Sequence, residues 1–205
     1  MSAKKKGMVK VSRCYFIPLK LVSWGGWRKI NHSARAILPV IGLHADKNGR
    51  SFPGIKLISK LSGVRKAHNV HKGLKSLIEN ELLVKEKEGR HNVYYLVNQA
   101  IVMGGSYFPM GEYLFKDDWW AKLLPCEKAV FVVLAVKASI DDSNMPDEFN
   151  EEFEEGKVHA HGVLQPTKWT RLAGISNHSW YSGIYRLAEH HWIGLTENNE
   201  YIIYK

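Results

Sequence analysis

FPGIKLISKLSGVRKAHNVHKGLKSLIENELLVKEKEGRHNVYYL, residues 52–96, changes its hydrophobic period partway along, and that change decides how the chain folds. The spacing predicts a short helix, a glycine turn, a longer basic helix over residues 65–81 and then a two-stranded hairpin. In the longer helix Val70, Leu74, Leu77 and Ile78 recur at helical spacing and form an apolar stripe. Arg65, Lys66, His68, Asn69, Lys72 and Lys75 fall mostly off that stripe, toward water or a partner. Past Leu82 and Leu83 the period becomes two, with Val84, Glu86 and Glu88 alternating against Lys85 and Lys87. A polar turn, Gly89-Arg90-His91-Asn92, then leads into the β-branched and aromatic run Val93-Tyr94-Tyr95-Leu96-Val97.

Working upstream, Ser33 is placed to cap a helix over residues 34–45, with Ala36, Ile37, Val40, Ile41 and Leu43 on its buried side. Pro39 lies inside that helix and is expected to remove one backbone bond and bend it. Asp46-Lys47-Asn48-Gly49 is a turn signal. Pro53 is expected to open the next helix, which ends near Ser62 and Gly63.

The run HADKNGRSFP at 44–53, followed by Ile58, Leu61, Gly63 and the later hairpin, resembles the winged helix-turn-helix domains of bacterial plasmid, phage and regulatory proteins. The resemblance covers about residues 33–97. It implies duplex-DNA binding, with residues 65–81 as recognition helix and the hairpin as wing. One departure stands out. Such domains usually place Ser or Thr before the recognition helix as its cap, whereas here Val64 is followed by Arg65 and Lys66.

Charge supports the same reading. The net charge of +9 is divided unequally: residues 1–106 hold 20 Lys/Arg against 5 Asp/Glu, and residues 107–205 hold 9 against 15. A basic half around a cationic helix attracts a polyanion. The lysine-rich start, residues 1–14, reads as an arm able to gain phosphate or minor-groove contacts. No apolar run approaches the ~20 residues of a membrane span. The basic start lacks the apolar block of a secretion signal. Cys14 and Cys126 lie far apart without metal-type spacing. A cytoplasmic, nucleoid- or plasmid-associated protein is expected.

The second half repeats the first. Leu61 and Gly63 correspond to Leu172 and Gly174 at an offset of 111. Val70, Leu74, Leu77, Leu82 and Leu83 correspond to Trp180, Ile184, Leu187, Trp192 and Ile193 at an offset of 110. Here Ser176 supplies the expected cap. Residues 101–114, with Gly104 and Gly105, read as a linker, and residues 141–155 as an acidic insertion with eight Asp/Glu and no Lys/Arg. Trp24 and Trp27, like Trp169, Trp180 and Trp192, are expected in cores or interfaces. The expected fold class is mostly α with small β-hairpins (α+β): two tandem winged helix-turn-helix domains, residues 15–100 and 115–205.

A helix entering the major groove needs donors for base edges and cations for phosphates. Asn69 suits adenine, and Arg65 or Lys66 suits guanine. His68, His71, Lys72 and Lys75 can reach bases or backbone. The wing offers Lys85, Lys87, Arg90, His91 and Asn92. The second helix offers Asn177, His178, Ser179, Tyr181, Ser182 and Arg186, with one full cation. Catalysis has little to rest on: no phosphate-cradling loop, His-Glu-x-x-His or Gly-x-Ser-x-Gly occurs. His159-x-His161 and His190-His191 lack completing metal ligands, so no metal, cofactor or enzymatic activity is expected. The expected function is sequence-specific double-stranded DNA binding, in control of transcription or of plasmid or phage replication and maintenance. The tandem arrangement is similar to small plasmid replication initiators binding iterated origin sites. A DNA-tethered adaptor, its acidic half recruiting a protein partner, is the alternative from another class, and homodimerisation stays open.

Overall fold

The computed structural model describes residues 14–100, 107–138 and 158–204. The expectations for the basic arm, for residues 101–106 and for the acidic insertion lie outside them. The chain opens with strand β1 (Cys14–Pro18), short helices α1 (Leu19–Ser23) and α2 (Gly26–Lys29), and α3 (His32–Leu43). Then come β2 (Arg50–Ser51), α4 (Ile55–Ser62), α5 (Ala67–Glu79), β3 (Leu83–Glu88) and β4 (His91–Leu96), with β2-β4-β3 forming one antiparallel sheet. Past residue 106, β5 (Tyr107–Gly111), a 3-10 stretch (Glu112–Asp118), α6 (Trp119–Lys122) and α7 (Pro125–Lys137) follow. The chain ends with β6 (Val158–Val163), α8 (Pro166–Ala173), α9 (Asn177–Glu189), β7 (Ile193–Leu195) and β8 (Glu200–Tyr204), in sheet order β6-β8-β7. Mixed α and β content is thus as expected, and the same order of helices and strands occurs twice.

Several local expectations change. The cap of α3 is Asn31 rather than Ser33: its Oδ1 accepts from the Ala34 amide at 2.9 Å, so the helix starts at His32. Pro39 sits within α3 without ending it. Every residue from Ala34 to Leu43 is buried, because α4, α5 and α7 all pack on this helix. Burial on all sides offsets the one missing backbone bond. Pro53 precedes α4 instead of opening it, with Gly54 between them, while Gly63 closes it in the left-handed region at φ 75°.

α5 is shorter than residues 65–81, and its apolar stripe is shifted. Val70, Gly73, Leu74, Ser76 and Leu77 are buried, but Ile78 is 40% exposed. Ile78 lies eight residues past Val70, roughly 80° round the helix, which carries it off the seat. In the wing the expected alternation of β3 has no buried counterpart, since only Leu83 is covered. Val93, Tyr94 and Leu96 of β4 hold the hairpin to the body.

The greatest difference concerns the stretch expected as a linker. Its residues 107–111 are β5, paired antiparallel with β1 from Cys14 opposite Gly111 to Pro18 opposite Tyr107. Across this seam Trp27 Nε1 donates to the Ala129 carbonyl at 3.4 Å, and Trp120 Nε1 to the Ala36 carbonyl at 2.9 Å. Buried Arg35 donates to the carbonyls of Trp27, Arg28 and Gly174. One apolar core therefore runs through both halves. Trp27 is fully buried in it, whereas Trp24 is 69% exposed and belongs to no core.

Candidate nucleic-acid interface

α5 is seated before it is displayed. A Cβ at Gly73 would lie 2.6 Å from Ile37 Cδ1 and 2.9 Å from the Ser33 carbonyl carbon, so only glycine lets α5 settle this closely on α3. The opposite face then points outward, and His68, His71, Lys72 and Lys75 are all exposed on it. Asn69 is half-buried on its flank. Arg65 and Lys66 are exposed but precede the helix, Lys66 standing at the cap position.

That cap position is chemically open. Lys66 makes no side-chain cap bond, and the first turn holds no acid. The first amides of α5 therefore keep unsatisfied N–H groups and the positive end of the helix dipole, flanked by two cations. This suits a phosphate oxygen. Lys75 is 3.5 Å from Glu79, but both are well exposed, and such a pair holds its cation only weakly.

The wing presents Lys85, Lys87, Arg90 and His91, all exposed, with Asn92 half-buried. Its acid Glu88 is held from two sides: Arg50 Nη2 is 2.6 Å from one carboxylate oxygen, and Tyr95 donates to the other at 3.2 Å. Sequence reasoning missed two further cations. Lys56 and Lys60 are exposed on α4 and, with Arg65, border a concavity of about 300 Å3 between α4 and the start of α5. Their spacing of four on the polar face of an amphipathic helix was the available signal.

The later thirteen-residue helix, α9, differs. Ser176 caps it as expected, its Oγ accepting from the Ser179 amide at 3.2 Å. Asn177, His178 and Tyr181 are exposed, while Ser179 and Ser182 are half-buried. Arg186, expected as the one cation of this face, stays half-exposed but is paired. Its Nε is 2.7 Å from Oε1 of Glu127, a fully buried acid on α7 that also accepts from the Leu124 amide. The hydrogen bonds and charge of Glu127 hold the Arg186 guanidinium above its ordinary pKa. Tyr185, 65% exposed, joins Tyr181 on the outer face and was not singled out from sequence. Trp169, Trp180 and Trp192 are core residues, as expected.

Among the described residues no group of three or more His, Cys, Asp or Glu is arranged to hold a metal ion, and no helix is long and apolar enough to cross a membrane. Cys14 and Cys126 are free thiols. Residues 28–83 match the family model of a helix-turn-helix domain, from the end of α2 to the start of β3. No curated protein and no solved structure matches the chain. The first half thus contains a helix-turn-helix domain of the DNA-binding kind, which takes in α3, α4 and α5.

Proposed function

We propose that this chain is a sequence-specific double-stranded DNA-binding protein built from two winged helix-turn-helix units, one in each half of the chain, that regulates transcription or plasmid or phage replication. The observation that carries the reading is the outer face of α5. It gathers His68, His71, Lys72 and Lys75 beside Arg65 and Lys66, around a helix start with no side-chain cap. Cations anchor the duplex through its phosphates, and Asn69 with the histidines reads base edges. Lys85, Lys87 and Arg90 of the wing extend the contact to the flanking backbone. No catalytic step is assigned to the chain.

The second unit is proposed to add reading rather than attraction, through Asn177, His178, Tyr181 and Ser182. A protein-recruiting role for α9 is the competing reading, favoured by exposed Tyr181 and Tyr185 and by the capture of Arg186 by Glu127.

Charge reversal of Arg65, Lys66, Lys72 and Arg90 together tests the proposal. All four are exposed, so the fold should stand by circular dichroism. Retention of duplex DNA at moderate salt should fall by roughly 100-fold or more, with a shallower salt dependence. Unchanged retention would sink the reading. A footprint that α9 substitutions leave unshortened would favour the recruiting role.

A further inference from the structure

The bonds that join the halves are reciprocal. Trp27 of the first half donates to Ala129 of the second, and Trp120 of the second donates to Ala36 of the first. The same interval, 93 residues, separates the two donors and the two acceptors. It also carries β1 onto β5 and the cap residue of α3, Asn31, onto that of α7, Leu124. Buried Arg35 and Lys128 are a further pair at that interval, lying 5.9 Å and 5.5 Å from the ring centroids of Trp27 and Trp120.

The turn glycines obey the same rule. A Cβ on Gly63 would strike the Ala121 carbonyl oxygen at 2.1 Å, and a Cβ on Gly174 would lie 2.9 Å from Arg28 Cα. Arg28 and Ala121 again differ by the interval that relates β1 to β5. In that strand pair Phe16 lies opposite Pro109, its own counterpart. A translation along the chain would send the second tryptophan toward a third copy. Only rotation by 180° returns it to the first, so a pseudo-two-fold axis passes near Phe16 and Pro109 and between α3 and α7.

We infer that one chain reads an inverted pair of unequal half-sites on a single duplex, acting as a covalently linked pseudo-dimer. This rests on the DNA-reading function proposed above and adds the symmetry of the target. Two equivalent modules that bind a duplex in the same way impose their own symmetry on it. A two-fold in the protein must coincide with a dyad of the DNA, which sets the half-sites head to head. Modules related by translation would instead read direct repeats. Rotation preserves direction along the axis, so whatever part of the α5 face points along it is matched in sense by α9. The half-sites are unequal because α5 presents His68, Lys72 and Lys75 where α9 presents His178, Ser182 and Tyr185.

The test uses the full chain and a library of random-sequence duplexes. Selected sites should hold two half-sites in inverted orientation, with centres about 10 bp or a multiple apart. One chain should occupy each duplex by native mass measurement. Reversing the second half-site in place should weaken binding by about tenfold or more. The variant His178→Ala with Ser182→Ala should relax preference at the second half-site and leave the first intact. Direct orientation, a lone half-site, or two chains sharing an inverted pair would each overturn the inference while leaving DNA reading in place. Enrichment of no sequence at all would overturn the DNA-reading proposal, and this inference with it.

Discussion

α5 and α9 are built alike inside and unlike outside. Each has thirteen residues, follows a left-handed glycine turn and rests on an earlier helix through a glycine. At Gly183 a Cβ would lie 2.8 Å from Val130 Cγ2 and 3.2 Å from the Cys126 carbonyl oxygen, repeating on α7 the close seat of Gly73 on α3. Outside, an uncapped basic start faces a start closed by the Ser176 hydroxyl. Packing fixes the inner face within tenths of an ångström, whereas the outer face is free to carry whichever chemistry its partner needs. The acidity of the second half is equally local. Residues 141–155 hold eight of its 15 acids, and without them nine cations face seven acids.

The strongest way to break this comparison is at the turns. Gly63→Val forces a β-branched residue to φ 75° and drives its Cβ into a backbone oxygen, so the loss should be about 3–5 kcal/mol. Gly174→Val is expected to cost less, because its Cβ would meet backbone at 2.9 Å, the Arg28 Cα, rather than at 2.1 Å. Urea unfolding of both variants measures the difference; equal costs would argue against a tighter first turn.

Next in size is the buried cation pair. Burial lowers the Lys128 ammonium to about 8, with Glu127 opposing the shift. The unfolded chain then holds more protons between about pH 8 and the ordinary lysine value of ~10.4, so stability should rise with pH across that window. Lys128→Met should abolish the rise and stabilise the fold at pH 7 by about 1–3 kcal/mol, less the lost bond to the Leu123 carbonyl. Arg35→Met should do the reverse, because it leaves three carbonyls without their donor.

A smaller effect would sharpen the contrast between outer faces. Ser182→Lys with Tyr185→Lys gives α9 the cations of α5, and duplex affinity at low salt should rise about tenfold with a steeper salt slope. A flat response would place α9 away from the phosphates. Smallest is the cap: Ser176→Ala should destabilise by ~1 kcal/mol, whereas Lys66→Ala, which removes no cap bond, should leave stability nearly unchanged. Thermal unfolding of the two variants separates them.

Much of this was legible in the chain. The stripe of Val70, Leu74 and Leu77, the turn at Gly63 and the cap at Ser176 depend on contacts within a few residues, and each stands as the pattern indicates. Asn31 was missed because two capping residues lie close together, and which one caps depends on where α3 must begin to meet Ser76, whose Oγ accepts from the Asn31 amide. Ile78 was misplaced because periodicity gives the middle of a buried face better than its edge. Arg186 could not be assigned from sequence at all, since its partner Glu127 lies 59 residues away.

By itself the sequence determined the local grammar: helices, turns and hairpin, a basic first half, and an apolar spacing that recurs in the second half. Only the tertiary structure decided that β1 pairs with β5, that Trp27 and Trp120 each donate to a carbonyl of the other half, and that Arg186 pairs with Glu127. The reason is one of range. Period, capping and turn chemistry act over a handful of residues, whereas burial and reciprocal bonding join positions about a hundred residues apart, and no local pattern encodes which distant surface will close on which.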